Sequence, residues 1–251
     1  MAVKTRTNRS DDARAMSGCR GSLFPLALAV AVMLVSLRSA ASVVLPHDVV
    51  CPIGGAVFTT YSAMSGTQTG QYLDFKPWGR VIAPSPLPQC PDNGFVVYKE
   101  RFSAAELARL QPYVLSDQYR ALIKTETPYY LAAKLQEQAS EDIRAIAGTL
   151  LRATWEAEDA SRYARYAAAA LNAYEQALRN YGPHNPERIQ MELIAGELER
   201  RQGRFAEARR RLLALERREL GRLELPYSAI LQQQLRLIDA RDARPHFIDL
   251  R

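Results

Sequence analysis

The chain has 251 residues, of which 47% are hydrophobic and 24% are charged, so it can form one or two folded domains. This charged fraction is typical of a globular protein and excludes a wholly disordered chain. Three cysteines are too few for a disulfide-dense miniprotein or a multi-finger zinc protein. Three histidines leave little scope for histidine-based metal chemistry.

The net charge of +6 is concentrated at the N-terminus. Residues 1–41 contain six basic and two acidic residues, so they alone contribute +4. Without them the chain is close to neutral, which removes the argument for a nucleic-acid-binding protein. We therefore expect no nucleic-acid partner.

The same N-terminal residues have the pattern of an export signal. A basic stretch precedes the apolar run Leu23–Val35, and the small residues Ser39, Ala40 and Ala41 follow it. This order predicts a signal peptide over residues 1–41, cleaved after Ala41, and a periplasmic or secreted mature protein. The alternative is an uncleaved inner-membrane anchor, although a bilayer-spanning helix takes about 20 apolar residues. Membrane contact is expected only in that alternative.

Residues 42–100 form a first folded part, here called the head. Runs such as Val43–Val44, Val49–Val50 and Phe95–Tyr98, bounded by proline and glycine, predict short strands. Residues 65–70 are rich in Ser, Thr and Gly and predict a turn. The head is therefore expected to be small and rich in strands and loops.

Two similar boxes in the head contain its two cysteines. Cys51 begins Cys-Pro-Ile-Gly-Gly, and Cys90 begins Cys-Pro-Asp-Asn-Gly. A structural zinc site needs four ligands, usually from two Cys-x-x-Cys turns, but Gly54 and Asn93 occupy the second cysteine positions. We therefore expect no bound metal and no cofactor. The alternative is a zinc site formed by Cys51, Cys90 and His47 with one further ligand.

The order of these boxes carries a resemblance. Two Cys-Pro-x-x-Gly boxes that flank Asp74–Pro77 resemble the head of a bacterial family of uncharacterised proteins, which pair a zinc-ribbon head with a tetratricopeptide-like helical body. The resemblance covers about residues 49–220. It implies a ribbon topology that brings Cys51 and Cys90 together, so that a disulfide replaces the metal after export. Closing a loop of about 40 residues stabilises by on the order of 4 kcal/mol. The alternative is two reduced, buried thiols.

Residues 101–251, here called the body, are dominated by strong helix formers. A capping box at Ser103–Glu106 begins the first helix, and Gly182–Pro186 ends a long one. The predicted helices cover about 103–111, 117–124, 128–150 with a break near 137–142, 159–181, 187–219 with a central turn, and 226–240.

Within the body, residues 187–219 predict a helix, a glycine turn and a second helix. The spacing of Gly196, Gly203, Phe205 and Ala208 with Leu212 resembles a tetratricopeptide repeat, in which a small residue admits the partner helix and a glycine forms the turn. The opening aromatic and the closing proline of that repeat are absent. The expected fold is mainly α, with tetratricopeptide-like helical hairpins in a superhelix.

The sequence predicts binding rather than catalysis. It has no nucleophile motif, phosphate-binding loop or zinc-protease motif, so we expect a non-enzymatic protein. Tetratricopeptide-like proteins hold protein partners on a concave face, and the resemblance places Gln190, Glu197, Arg200 and Arg201 there. The predicted function is an exported scaffold of the bacterial cell envelope that binds a protein partner. The alternative is that these four residues are ordinary exposed positions.

Two further segments of the body each allow two interpretations. Residues 199–222 contain nine Arg and four Glu. They form either a basic patch for an acidic partner or a helical surface of paired charges such as Glu207 with Arg211. The tail, residues 243–251, is either disordered or packed as a strap through Phe247 and Leu250.

Aromatic residues mark the expected contact between head and body. We expect the segment Asp74–Trp78 to dock the head on the body. The aromatic residues expected along this seam are Tyr72, Phe75, Trp78, Tyr129 and Tyr130.

The leader prediction has a direct test by intact mass spectrometry of protein expressed with its own N-terminus. We expect a chain that begins at Ser42, carries no metal and is two hydrogens lighter than its fully reduced form. A full-length chain that carries zinc and free thiols would contradict both export and the disulfide.

Overall fold

The computed structural model describes residues 43–250, without the side chains at positions 43, 63 and 64. The predicted leader, residues 1–41, lies outside the described residues. The part of the chain after Ala40 is one compact unit that contains both head and body. Among the helices of the described part, none combines the length and apolar character needed to cross a membrane.

The head contains two antiparallel hairpins. Strand β1 (Val43–Val50) pairs with β2 (Val57–Ser65), and β3 (Thr67–Gln71) pairs with β4 (Pro77–Arg80). The expected strand at 43–50 is confirmed. The turn predicted over 65–70 is wrong, because strand pairing continues on both sides of Gly66. A Cβ at Gly66 would lie 2.5 Å from the carbonyl oxygen of Arg80, so the backbones approach closely there.

The two cysteine boxes form the same turn twice. The Cys51 amide donates to the carbonyl of Ala56 at 2.8 Å, and the Cys90 amide donates to the carbonyl of Phe95 at 2.8 Å. The two Sγ atoms lie at disulfide distance, and the Cα atoms are 5.7 Å apart. The pairing of Cys51 with Cys90 is therefore seen in the fold. Residues 95–98 form only an isolated bridge, between Gln89 and Val96, and not the expected strand.

Asn93 joins the two turns at a position where a zinc ribbon has a cysteine. Its Nδ2 donates to the carbonyl of Ile53 at 2.7 Å, and its Oδ1 accepts from the Phe95 amide at 2.9 Å. The sulfurs of Cys51 and Cys90 are grouped with a carboxylate oxygen of Asp92, all within 4.8 Å of one another. The alternative zinc set with His47 is thus not the set that the described residues bring together.

The described part of the body contains eight α-helices. Most predicted boundaries agree to within a few residues, including the Ser103 capping box and a break at Ser140, which has a left-handed backbone. Two ends differ: the first helix continues past Pro112, and the fifth ends at Ala177 before a 3₁₀ turn. The helices are α1 (Ala104–Val114), α2 (Asp117–Ile123), α3 (Pro128–Ala139), α4 (Ile143–Glu156), α5 (Ala160–Ala177), α6 (Pro186–Arg201), α7 (Phe205–Arg218) and α8 (Tyr227–Asp239).

The predicted turn between α6 and α7 is confirmed. Gly203 has φ +74°, which glycine adopts without strain. A Cβ at Gly196 would lie 2.8 Å from Cδ2 of Leu212 and 3.2 Å from Oε1 of Gln234. Gly196 therefore lets both α7 and α8 approach α6.

Head and body share their cores. One hydrophobic cluster joins Cys51 and Phe95 of the head to Leu110 and Leu131 of the body. Phe75 packs against two other clusters, one centred on α4, α5 and α6 and one on α6, α7 and α8. The head is therefore held by the body's apolar side chains as well as by its cysteines.

The tail runs back over the molecule as a strap, here defined as residues 242–250. The Leu73 amide donates to the carbonyl of His246 at 2.9 Å, and the Ile248 amide donates to the carbonyl of Gln71 at 2.8 Å. The ring of Phe247 lies 4.3 Å from that of Tyr72. The strap alternative is confirmed by these pairings and by the Phe247–Tyr72 contact, although Phe247 and Leu250 both remain exposed, at 44% and 58%.

Two glycines, one in α4 and one in α6, are expected to respond oppositely to alanine. At Gly148 in α4 the new Cβ meets only ordinary contacts, and Gly148→Ala should raise the free energy of unfolding by about 0.5–1 kcal/mol. At Gly196 the fully buried Leu212 cannot move away from a new Cβ. Gly196→Ala should therefore lower the free energy of unfolding by about 1–2 kcal/mol. Urea unfolding measures both, and stabilisation by both changes would contradict the close packing of α6.

Candidate functional site

A cavity of about 1020 Å³ lies where head, body and strap meet, and it is here called the seam cavity. Its walls come from the β3–β4 hairpin, from the facing ends of α4, α5 and α6, and from the strap at Ala243 and Pro245. Its volume is at the upper end of the range of small-molecule sites. The β3–β4 hairpin turns at the cavity, and three helices begin or end there. Residues that are far apart in the sequence therefore meet in its lining.

Asp74 is placed by the turn between β3 and β4. Its Oδ1 accepts from the backbone amide of Lys76 at 3.1 Å, the side-chain turn that aspartate favours. Phe75 completes the turn with φ 62° and donates its amide to the carbonyl of Tyr72 at 2.8 Å. Asp74 is only 3% exposed, and this burial raises the pKa of its carboxyl group.

Two basic side chains, Arg201 and Lys76, favour the charged form of this carboxylate. The Lys76 Nζ donates to the carbonyl of Trp155 at the end of α4, at 3.1 Å. The Arg201 Nη1 lies 3.5 Å from Oδ2 of Asp74, and its guanidinium carbon lies 4.2 Å from the ring centroid of Tyr163. Burial lowers the pKa of Lys76. One acid and two basic groups therefore form the charged floor of the cavity.

Three buried polar atoms without a hydrogen-bond partner belong to residues that line the cavity. They are Nε1 of Trp155, Oη of Tyr163 and Nε of Arg201. Such atoms are costly, because each lost its bonds to water on folding and gained none in return. Six atoms of this kind occur in the described part of the chain, so half of them belong to this one lining. That concentration distinguishes the cavity from ordinary packing.

Aromatic side chains line the rest of the cavity. Trp78 and Trp155 are the only two tryptophans in the chain, and both line it together with Tyr72 and Tyr163. Trp78 is 48% exposed and packs edge-on against Phe247 of the strap, with ring centroids 4.9 Å apart. The cavity thus combines a charged floor with broad apolar walls.

The expected docking segment Asp74–Trp78 lies at the seam and contacts α4, α6 and the strap. Of the other expected seam aromatics, Tyr129 donates its hydroxyl to the carbonyl of Ser85 at 2.8 Å. Tyr130 instead stacks on Tyr166 within the body. Sequence reasoning missed Trp155 and Tyr163, and the one available signal was that the chain has only two tryptophans.

Two of the four predicted partner-binding residues, Glu197 and Arg200, are buried. Arg200 is 0% exposed and Glu197 is 1% exposed. The guanidinium of Arg200 contacts both carboxylate oxygens of Glu197, at 2.6 and 2.8 Å, and donates to the backbone carbonyls of Asp242 and Arg244. The strap contacts Arg200, and Glu197 is buried beside that arginine, so neither side chain faces an open groove.

The other two predicted residues line cavities. Arg201 lies in the seam cavity, and Gln190 lies in a neighbouring cavity of about 630 Å³ beside α4. The four residues are therefore not brought together on one face, because they alternate between the interior and two separate cavities. A partner-binding role stays a prediction for Gln190 and Arg201.

Six of the nine arginines in residues 199–222 form ion pairs in the described structure, and the pair Arg200–Glu197 is buried. The specific pair Glu207 with Arg211 is wrong, because Glu207 lies 3.6 Å from Nε of Arg204, and Arg211 contacts Glu175 and Glu199 instead. The remaining pairs that its arginines form are Arg200–Glu197, Arg201–Asp74, Arg209–Asp239, Arg218–Glu192 and Arg218–Glu219.

Comparisons of the chain with protein-family models, with curated proteins and with solved structures gave no match. The resemblance to the family with a zinc-ribbon head and a tetratricopeptide-like body therefore stays a prediction. The proposed function therefore rests on the geometry of the cavity.

The neighbouring residues Arg200 and Arg201 should differ sharply when changed to glutamine. Arg200→Gln leaves Glu197 buried without its cation and releases the strap, so the free energy of unfolding should fall by about 3–5 kcal/mol. Arg201→Gln should cost about 1–2 kcal/mol, because Asp74 keeps its bond from the Lys76 amide. Arg210→Gln on the exposed surface of α7 is the control.

The same variants give a pH test by urea unfolding. Burial raises the pKa of Glu197 to about 7 even with Arg200 present. The folded state therefore binds a proton more tightly than the unfolded state, and Arg200→Gln should lose stability as the pH rises from about 5 to 8. A variant whose stability rises over that range would contradict the buried, unpaired carboxyl.

Proposed function

We propose that this protein is an exported, non-enzymatic binding protein of the bacterial cell envelope, and that it holds its protein partner in the seam cavity. The observation that carries the proposal is that three residues lining one cavity each hold an unpartnered polar atom. Buried polar groups are normally satisfied, so a lining that leaves three of them free is suited to a ligand that satisfies them.

The chemistry of the lining favours binding over catalysis. Among the described residues that line the cavity there is no serine, cysteine or histidine. The hydroxyl of Thr154 donates to the carbonyl of Leu151 at 2.7 Å, and Asp74 is held in its turn. Neither Thr154 nor Asp74 is therefore free to serve as a nucleophile or a general base.

Export is supported by two independent features. The leader pattern precedes the head, and the paired Cys51 and Cys90 suit an oxidising compartment, where disulfides persist. A tetratricopeptide-like superhelix is part of the same proposal. Its support is the α6–α7 hairpin, with Gly196 against Leu212 and Gly203 in the turn.

Site-specific photo-crosslinking in the native host tests the proposal. Ala164 on α5 is exposed and lines the cavity, whereas Ala168, one helical turn further on, is exposed and does not line it. A photoreactive amino acid at position 164 should give one discrete adduct in exported protein, and the same group at position 168 should give none.

A second variant closes the entrance as a control on that adduct. Ala160→Trp places a large side chain at another exposed position of the cavity rim and should abolish the crosslink from position 164. Equal adducts from both positions, or an adduct that survives Ala160→Trp, would show that the partner binds elsewhere.

A further inference from the structure

We propose that the seam cavity recognises a carboxylate group attached to an apolar body, as at the C-terminus of a polypeptide. This inference rests on the proposed function and specifies the group that the cavity binds. It follows from three features of the lining: its charge, its free hydrogen-bond donors and its aromatic walls.

The charges on the cavity floor favour a ligand with one negative charge. Lys76 and Arg201 supply two cations, and Asp74 supplies one carboxylate that already accepts from the Lys76 amide and lies beside Arg201. At the rim, Arg204 lies beside Glu207, and Asp159 caps α5 by accepting from the Arg162 amide at 2.8 Å. One positive charge on the floor therefore lacks a partner of opposite sign, which suits a monoanion.

The unpartnered hydrogen-bond donors favour a ligand group that has several acceptors. Trp155 Nε1 and Arg201 Nε can only donate, and the Tyr163 hydroxyl can also donate. An ionised carboxylate accepts at both oxygens and donates nothing, so its chemistry matches these donors. A ligand cation would face Lys76 and Arg201, and a ligand rich in donors would find Asp74 already engaged.

The aromatic walls of the cavity favour a ligand with an apolar part. The side chains of Tyr72, Trp78 and Val81 line the same cavity as the charged floor. Trp78 keeps about half of its surface exposed and offers a flat face for an aromatic or aliphatic side chain. The cavity is also much larger than a carboxylate needs, so the anion must carry further atoms.

The chain contains its own reporter for this inference, because both tryptophans line the cavity. Tryptophan fluorescence of the exported protein is titrated with three probes that do not contain tryptophan. They are the peptide N-acetyl-Ala-Ala-Phe as the free acid, the same peptide as its C-terminal amide, and 3-phenylpropionate. The acid should bind about ten- to a hundredfold more tightly than the amide, the size expected for hydrogen bonds to a charged group.

Two variants separate recognition from structural support. Tyr163→Phe removes an unpartnered buried hydroxyl, so it should keep or raise the midpoint of thermal unfolding while weakening the acid about tenfold or more. Arg201→Gln should remove most of the difference between acid and amide. Tyr61→Phe and Arg210→Gln, at exposed positions away from the cavity lining, are the matched controls and should change neither.

The outcomes separate this inference from the proposed function. Acid and amide that bind equally, or a fluorescence that responds to none of the three probes, would overturn carboxylate recognition, even where the crosslink at position 164 still identifies a partner. Binding of the peptide acid well above 3-phenylpropionate supports a polypeptide C-terminus, and equal binding of the two acids supports a free organic acid.

Discussion

The buried guanidinium of Arg200 is the interaction on which the described fold depends. Arginine does not lose its charge in proteins, so a fully buried guanidinium must find acceptors for its donors or destabilise the fold. Arg200 finds them in Glu197 on its own helix and in two backbone carbonyls of the strap. Because the strap then pairs with residues 71–73 of the head, one side chain connects α6, the chain's C-terminal segment and the β3–β4 hairpin.

The seam cavity is a consequence of that connection. The strap brings Ala243 and Pro245 to the cavity and places Phe247 against Tyr72 and Trp78. The hairpin brings Asp74 and Lys76 to the ends of α4 and α6. The side chains of Trp155 and Tyr163 line this cavity and also pack against the core of α4, α5 and α6, and each carries one polar atom without a hydrogen-bond partner.

Local features were accessible from the sequence because local chemistry determines them. The Ser103 capping box and the turn at Gly203 each need only a few neighbouring residues. The burial of Arg200 was not accessible, because the tetratricopeptide resemblance placed it on a concave binding face, whereas the strap, more than 40 residues further on, contacts it. Trp155 and Tyr163 were missed for the same reason, since they meet the head only through tertiary contacts.

The sequence by itself determined that the chain folds as a mainly helical body behind a small strand-containing head, because hydrophobic spacing, caps and glycine turns act over short distances. Only the tertiary structure decided which polar side chains would become a site. An arginine on α6 is buried or lines a cavity according to what packs over it. The strap accepts hydrogen bonds from Arg200, which is buried, whereas the β3–β4 hairpin places Asp74 beside Arg201 at the seam cavity.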